Sequence, residues 1–280
     1  MMLSITGLRK KLGRREILKG IDAELEAGVV GLLGANGAGK TTIIRCLTGI
    51  YDLDAGTVAY EGEDIQRSKT YRPNLGYLPQ AFGMFRELTV YEMMDYFCAL
   101  KKVPKEKRPA MIEDCLQKVN LEDRIRSRVS TLSGGMVRRV GIAQSLLGDA
   151  RVIIMDEPTS GLDPQERARF KNMVARMKGQ DKLALISTHI VEDVESLCDR
   201  VLVMHEGQVL FNGDCEALAA RAQGLVYSVP NRAIPQIKGE YYEAQVTQAG
   251  SRVICREPQG FEMLDPSLED GYMAVMKGYA

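Results

Sequence analysis

Val29-Val30-Gly31-Leu32-Leu33, then Gly34-Ala35-Asn36-Gly37-Ala38-Gly39-Lys40-Thr41-Thr42, then Ile43-Ile44-Arg45-Cys46-Leu47 is the stretch that decides the fold. An apolar run with one glycine break reads as a buried strand, and the closing segment reads as a helix. Between them lies G-x-x-x-x-G-K-[ST], the phosphate-binding loop in its proper strand–loop–helix setting. Its glycines let the backbone curl so that several N–H groups face one concavity at a helix N-terminus. That concavity attracts anions through both its donors and the helix dipole. The loop therefore predicts a nucleoside-triphosphate site contacted by Gly34, Asn36, Gly37, Gly39, Lys40, Thr41 and Thr42. Lys40 is expected to reach the β- and γ-phosphates, and the Thr41 hydroxyl to take a place on Mg²⁺.

Working outward, 280 residues suffice for one large domain with subdomains or for two smaller ones. Hydrophobic residues make up 45% and charged residues 26%, the balance of a soluble globular chain with a substantial core. Lys plus Arg is 37 and Asp plus Glu is 37, so the net charge is zero and gives no support to general nucleic-acid binding. The apolar runs are too short to span a bilayer, and the N-terminus lacks the pattern of a secretory signal. Six scattered cysteines without a C-x-x-C pair then read as reduced thiols in the cytosol. Any work at a membrane is expected to proceed through a partner.

Residues 3–33 read as short strands and turns, with a basic hairpin tip over Arg9–Arg15. The helix after the loop is expected to run to about Gly49, followed by a hairpin over 57–64 and a strand Leu75–Leu78 that Pro79 ends. From Ala81 a helical insert begins. Thr89 is the expected N-cap of its first helix, and a second amphipathic helix covers Met111–Val119. In Leu132-Ser133-Gly134-Gly135-Met136, Ser133 suits the N-cap of a third helix whose apolar face includes Val137, Val140, Ala143 and Leu147. Val152–Met155 and Leu183–Ile186 are continuous apolar runs of strand length, as parallel strands covered on both faces require. Helix Pro164–Met177 lies between them, and a hairpin over 201–211 follows. Beyond Asp214 the hydrophobic density falls, and the pattern predicts a helix from Cys215, a strand Leu225–Val229, a hairpin over 241–255 and a helix Leu268–Met276. A domain boundary is placed there, separating residues 1–214 from an accessory unit over 215–280.

Carboxylates at the end of a buried strand in a phosphate-loop protein have a defined task. Asp156 is placed to hold Mg²⁺ beside Thr41, and Glu157 to orient or deprotonate an attacking water. His189 ends the next buried strand on the same edge, where a γ-phosphate contact is expected. Gln80 also follows a strand end.

In order along the chain, Gly34–Thr42, Gln80, Leu132–Met136, Val152–Glu157, Ser160–Asp163 and His189 resemble the Walker A, Q-loop, signature, Walker B, D-loop and switch histidine of an ATP-binding cassette (ABC) ATPase. The resemblance covers roughly residues 3–214. It implies an α/β, RecA-like P-loop NTPase core with a parallel sheet, an N-terminal antiparallel β subdomain and a helical signature subdomain over about 81–150, here with a small α+β C-terminal extension. It further implies ATP and Mg²⁺, hydrolysed in a head-to-tail dimer between one subunit's Walker A and the other's signature. Glu157, His189 and Gln80 are then the catalytic set, and Thr41, Gln80 and Asp156 the metal set. By the same resemblance Ser133 and Gly135 touch the γ-phosphate across the interface, with Gly134 beside them, Asp163 links the two sites, and Gln80 couples ATP to the partner's transmembrane part. The bare physics agrees: Ser133, Gly134 and Gly135 offer a hydroxyl and open N–H groups at a helix N-terminus.

Some residues depart from the family pattern. Met136 stands in place of the usual glutamine, Leu12 falls near the position of an adenine-stacking aromatic, and Asp54 replaces a common proline. The tail Pro266–Met276, Tyr77-Leu78-Pro79-Gln80 and Arg138-Arg139 are similar to ATPases that pair with ABC-2-type export permeases. The expected protein is the ATPase subunit of an exporter. Its expected partners are an integral membrane permease and a second nucleotide-binding subunit, and its expected place is the cytoplasmic face of the cell membrane. A soluble cassette acting on ribosomes or DNA is disfavoured by the neutral charge, the single cassette and the short insert. A non-catalytic regulatory cassette is disfavoured by the intact Lys40, Asp156, Glu157 and His189.

Overall fold

In the computed structural model, which describes residues 2–148, 150–237, 239–248, 250–257 and 260–279, the chain opens with a long hairpin of β1 (Met2–Leu12) and β2 (Arg15–Glu26). The sequence suggests shorter strands here because register shifts between Ile5 and Leu8 and again at Arg9 break the alternation. The turn is confined to Gly13 and Arg14, so Arg9–Leu12 of the expected basic tip belong to the strand. β3 (Gly28–Leu33) follows and leads through the glycine loop into α1 (Lys40–Leu47). β4 (Ala55–Tyr60) and β5 (Glu63–Asp64) complete an antiparallel sheet of order β2-β1-β4-β5. Asp54 has a use after all: its carboxylate accepts from Lys10 Nζ and from the Lys11 N–H, tying the loop before β4 to β1.

A short α2 (Tyr71–Asn74) precedes β6 (Leu75–Leu78). The helical insert then supplies α3 (Val90–Leu100), α4 (Arg108–Lys118) and α5 (Gly134–Ser145). Thr89 caps α3 in a reciprocal box with Glu92, and Ser133 Oγ caps α5 by accepting from the Met136 N–H at 3.2 Å. Both caps match the sequence expectation. α4 starts earlier than its apolar pattern suggests, because Pro109 is pre-shaped for a first helical turn.

The remaining α/β elements are β7 (Val152–Asp156), α6 (Pro164–Ala175), β8 (Leu183–Thr188), α7 (Val191–Leu197), β9 (Arg200–His205) and β10 (Gln208–Asp214). The central sheet has the order β10-β9-β3-β8-β7-β6, all neighbours parallel except the edge strand β10. Period-two alternation divides its side chains between two cores. Val30, Leu32, Ile154 and Leu185 pack on the first hairpin, while Val29, Leu33, Met155 and Ile186 pack on the helices. Each such fully buried side chain contributes about 1.5–3 kcal/mol. Gly31, the break in the apolar run, is explained by close packing: a Cβ there would sit 3.0 Å from Cys198 Sγ and 3.1 Å from Val194 on α7.

Past Asp214, α8 (Cys215–Ala219) leads to β11 (Val226–Val229), β12 (Tyr241–Val246), β13 (Ser251–Cys255) and β14 (Glu262–Met263), an antiparallel sheet of order β12-β13-β11-β14 with small apolar clusters of its own. α9 (Leu268–Met276) closes the chain by packing back on the main body, where Leu268 joins Leu218 and Leu197 in the larger core. The joint is polar and buried. Asp270, 1% exposed, accepts from Arg252 of β13 through Nε at 2.9 Å and Nη2 at 2.6 Å, and from the Ser267 N–H and hydroxyl at 2.7 Å.

None of the six cysteines forms a disulfide, and burial lifts the pKa of the Cys46 and Cys115 thiols to about 11, which leaves them protonated. Among the described residues no helix is long and apolar enough to cross a membrane.

Candidate active site

The C-terminal edge of the parallel sheet collects most of the predicted residues. Gly39 (φ 108°) is the N-cap of α1 and Gly37 (φ 83°) bends the loop before it, conformations that disfavour any Cβ. At Gly34 the reason is contact, since a Cβ would fall 2.4 Å from the Met204 carbonyl. Lys40 is 5% exposed and donates to the Gly34 carbonyl at 2.7 Å and the Ala35 carbonyl at 3.2 Å. Burial lowers the pKa of its ammonium, against the opposing pull of the Glu157 and Asp156 carboxylates.

Glu157 is the meeting point. Its Oε1 lies 3.9 Å from Lys40 Nζ and 3.4 Å from His189 Nδ1, and its Oε2 accepts from Gln80 Nε2 at 3.3 Å. Side chains from the start of α1 and from just past the ends of β6 and β8 thus converge on one carboxylate just past the end of β7. The Glu157 backbone is left-handed, φ 48°, an uncommon conformation for a residue with a side chain. Its N–H donates to Ser187 Oγ at 2.9 Å, and that hydroxyl donates to Asp156 Oδ1 at 2.6 Å. Asp156 is 1% exposed, and its Oδ2 is a buried oxygen with no hydrogen-bond partner.

Asn36, Gly37, Gly39, Lys40, Thr41, Thr42, Gln80 and Glu157 line one open cleft of about 450 Å³. Gly34, Asp156 and His189 do not line it themselves but adjoin its lining residues Lys40 and Glu157, whereas Ser133, Gly134, Gly135 and Asp163 do not reach it. Ser133 and Gly134 are exposed at the start of α5, and Asp163 caps α6 by accepting from the Glu166 N–H at 2.8 Å. A larger hollow of about 650 Å³ lies between α4 and α6, floored by Met111, Cys115, Met173 and Met177. None of the expected site residues lines it.

The sequence of the ABC transporter family matches residues 18–160, which include the glycine loop, Gln80, Ser133–Gly135, Asp156 and Glu157. The chain belongs to the ABC transporter ATP-binding family. Relatives cover its length. It is 32% identical over 294 aligned positions to the Nod factor export ATP-binding protein I of Rhizobium sp. (strain N33), spanning 98% of this chain and 96% of that protein. It is 32% identical to the ABC transporter ATP-binding protein NatA of Bacillus subtilis (strain 168), spanning 81% of this chain and 96% of the relative. A solved ATP-binding subunit of an ABC transporter superposes with a TM-score of 0.72 at 26% identity, over 80% of this chain and 94% of that one.

This ABC ATPase departs from its sequence reading at the first hairpin. Leu12, 40% exposed at the end of β1, does not line the cleft, whereas Arg15 and Ile17 from the start of β2 do. The two-residue turn sets which of these side chains face the loop, and strand length is what the sequence had obscured. Met136 packs against the helical core, away from the cleft. Ser187 was missed because a serine inside a buried strand has no distinguishing pattern. Arg138 was read only as part of a subfamily signature, yet it bonds to the backbone around Gln80 and Glu157.

Proposed function

We propose that the cleft binds Mg·ATP and that Glu157 serves as general base for its hydrolysis. The observation that carries this is the convergence of Lys40, Gln80 and His189 on the Glu157 carboxylate. In this reading Lys40 holds the β- and γ-phosphates, His189 contacts the γ-phosphate, and Gln80 reports nucleotide to the permease. The residues fit a magnesium ion: Asp156 Oδ2 is a buried, unpartnered oxygen, and a hard cation that keeps several waters needs only such a carboxylate, the Thr41 hydroxyl and phosphate oxygens. Mg²⁺ held by Thr41 and Asp156, with Gln80 beside it, would neutralise charge on the phosphates.

The second half of the site comes from another subunit. Ser133, Gly134 and Gly135 of that subunit close over the γ-phosphate, and Asp163 links the paired sites. Gly134 supports this. Its φ is not positive, and a Cβ there would meet nothing within 4 Å, so nothing in the chain itself calls for glycine. Gly134→Ala is expected to fold as stably as the parent, or better by up to about 1 kcal/mol from helix propensity. It should still lose most ATP turnover, because the added methyl group faces the approaching phosphate. Thermal melting with an ATPase assay checks both, and unchanged turnover would count against the sandwich.

At the base end, Arg15 and Ile17 receive adenine. Arg15→Ala is expected to weaken ATP binding about 3- to 10-fold, the scale of one cation–π contact. Titration with a fluorescent ATP analogue measures it.

The partner is an ABC-2-type permease, the process is export, and the location is the cytoplasmic face of the membrane, with residues 215–280 as an accessory unit. Support comes from the export-named relative and from Phe85, Tyr96 and Leu100, exposed large apolar side chains on and before α3. Phe85 and Tyr96 touch edge to face at 5.7 Å, forming a patch that water does not favour. Affinity capture of the tagged chain from detergent-solubilised membranes should bring down a multi-span protein. Capture of ribosomes or DNA instead would overturn the transport reading.

A further inference from the structure

We propose that Arg138 is a positioning residue through which the start of α5 controls the geometry of Gln80 and Glu157 in the same chain. Its guanidinium donates from Nη1 to the carbonyls of Pro79 at 3.1 Å and Gln80 at 2.8 Å. Nη2 donates to Asp156 at 3.0 Å and Glu157 at 2.6 Å, and Nε to Pro158 at 3.2 Å. A guanidinium has five N–H groups in a fixed plane, and each is matched here by a backbone oxygen. The acceptors lie at the ends of β6 and β7, on either side of the Gln80–Glu157 contact.

The left-handed backbone of Glu157 makes this more than packing. Such a conformation persists only when its surroundings hold it. The peptide before Glu157 is held by Ser187, and the peptide after it by Arg138. Arg138 stands five residues from Ser133, about 7–8 Å along the helix axis. Any tilt of α5 imposed at its N-terminus is therefore delivered directly to the carbonyls that aim Gln80 and Glu157. Resting on the reading that Ser133–Gly135 engage the other subunit's nucleotide, this makes Arg138 the link by which binding at one site of the dimer sets the hydrolytic geometry of the other.

The test uses the full-length chain, with its permease where the two co-purify, as parent, Arg138→Met, Arg138→Lys and Glu157→Gln. Arg138→Met keeps bulk and removes every donor; Arg138→Lys keeps charge but cannot span the acceptors. Arg138→Met is expected to leave the dissociation constant for ATP within about 3-fold and to lower kcat about 100-fold, the scale of a misplacement near 1 Å. The parent's turnover is expected to depend sigmoidally on ATP, as two linked sites require, and to become hyperbolic in Arg138→Met, a change that reduced stability alone does not produce. Arg138→Lys is expected to fold like the parent and recover only a small part of kcat. Parent-like kcat and sigmoidicity in either variant overturn the inference. Glu157→Gln separates the two layers: if it is inactive while Arg138→Met turns over normally, the link fails and the assignment of Glu157 stands.

Discussion

Glu157→Gln is expected to bind ATP at least as tightly as the parent and to hydrolyse it about 10²- to 10⁴-fold more slowly, the usual contribution of a positioned general base. The amide matches the carboxylate in size and can still meet Gln80 and His189, so the cleft should keep its shape. What is lost is the capacity to accept a proton from water. A negative charge next to the γ-phosphate is lost as well, and its removal favours the anionic ligand. With closure permitted and reopening by hydrolysis blocked, ATP should trap a dimer visible on size-exclusion chromatography. Near-parental turnover would show that another group activates the water.

Arg252→Ala is expected to destabilise the chain by about 3–5 kcal/mol, as removal of one partner from a buried pair does. The variant strands Asp270, a carboxylate 1% exposed, with only Ser267 left to donate to it. Burial by itself would raise the Asp270 pKa; the Arg252 and Ser267 donors outweigh it and hold the group below its ordinary value. The sign follows from linkage. A depressed native pKa contributes stability that is complete above the unfolded-state value of about 3.9 and disappears as the pH falls through the lower native value. The gap between parent and variant should therefore be widest near neutrality and narrow below about pH 4. Denaturant titrations at neutral and acid pH measure it, and a gap independent of pH would assign the loss to packing.

Much of the site was legible because its residues sit where local patterns end. Asp156 and Glu157 follow an uninterrupted apolar run, His189 follows another with Ser187 and Thr188 between, and the loop around Lys40 carries its conformation in its glycines. Thr89 and Ser133 were readable as caps because a cap is a local bargain between neighbours. Long-range polar contacts were not. Arg138 meets carbonyls 18 to 59 positions away, and carbonyl oxygens look alike in any sequence. The hairpin β1–β2 was underestimated because register shifts erase alternation, and α7 because a short helix with adjacent Glu192 and Asp193 resembles a polar loop.

The two bonds from Lys40 to the Gly34 and Ala35 carbonyls occupy two of the ammonium's three N–H donors, so under the proposed binding mode nucleotide entry would be part addition and part exchange. A triphosphate that engages more than the third donor displaces the loop's own oxygens, so part of its affinity would be a difference between two satisfied arrangements. After hydrolysis the remaining diphosphate offers the lysine fewer oxygens, while the carbonyls offer what they did before. The balance then tips toward the loop taking its lysine back. On this proposal, product departure would be favoured by the same residue that is proposed to hold the substrate, with the loop as a competitor already in place.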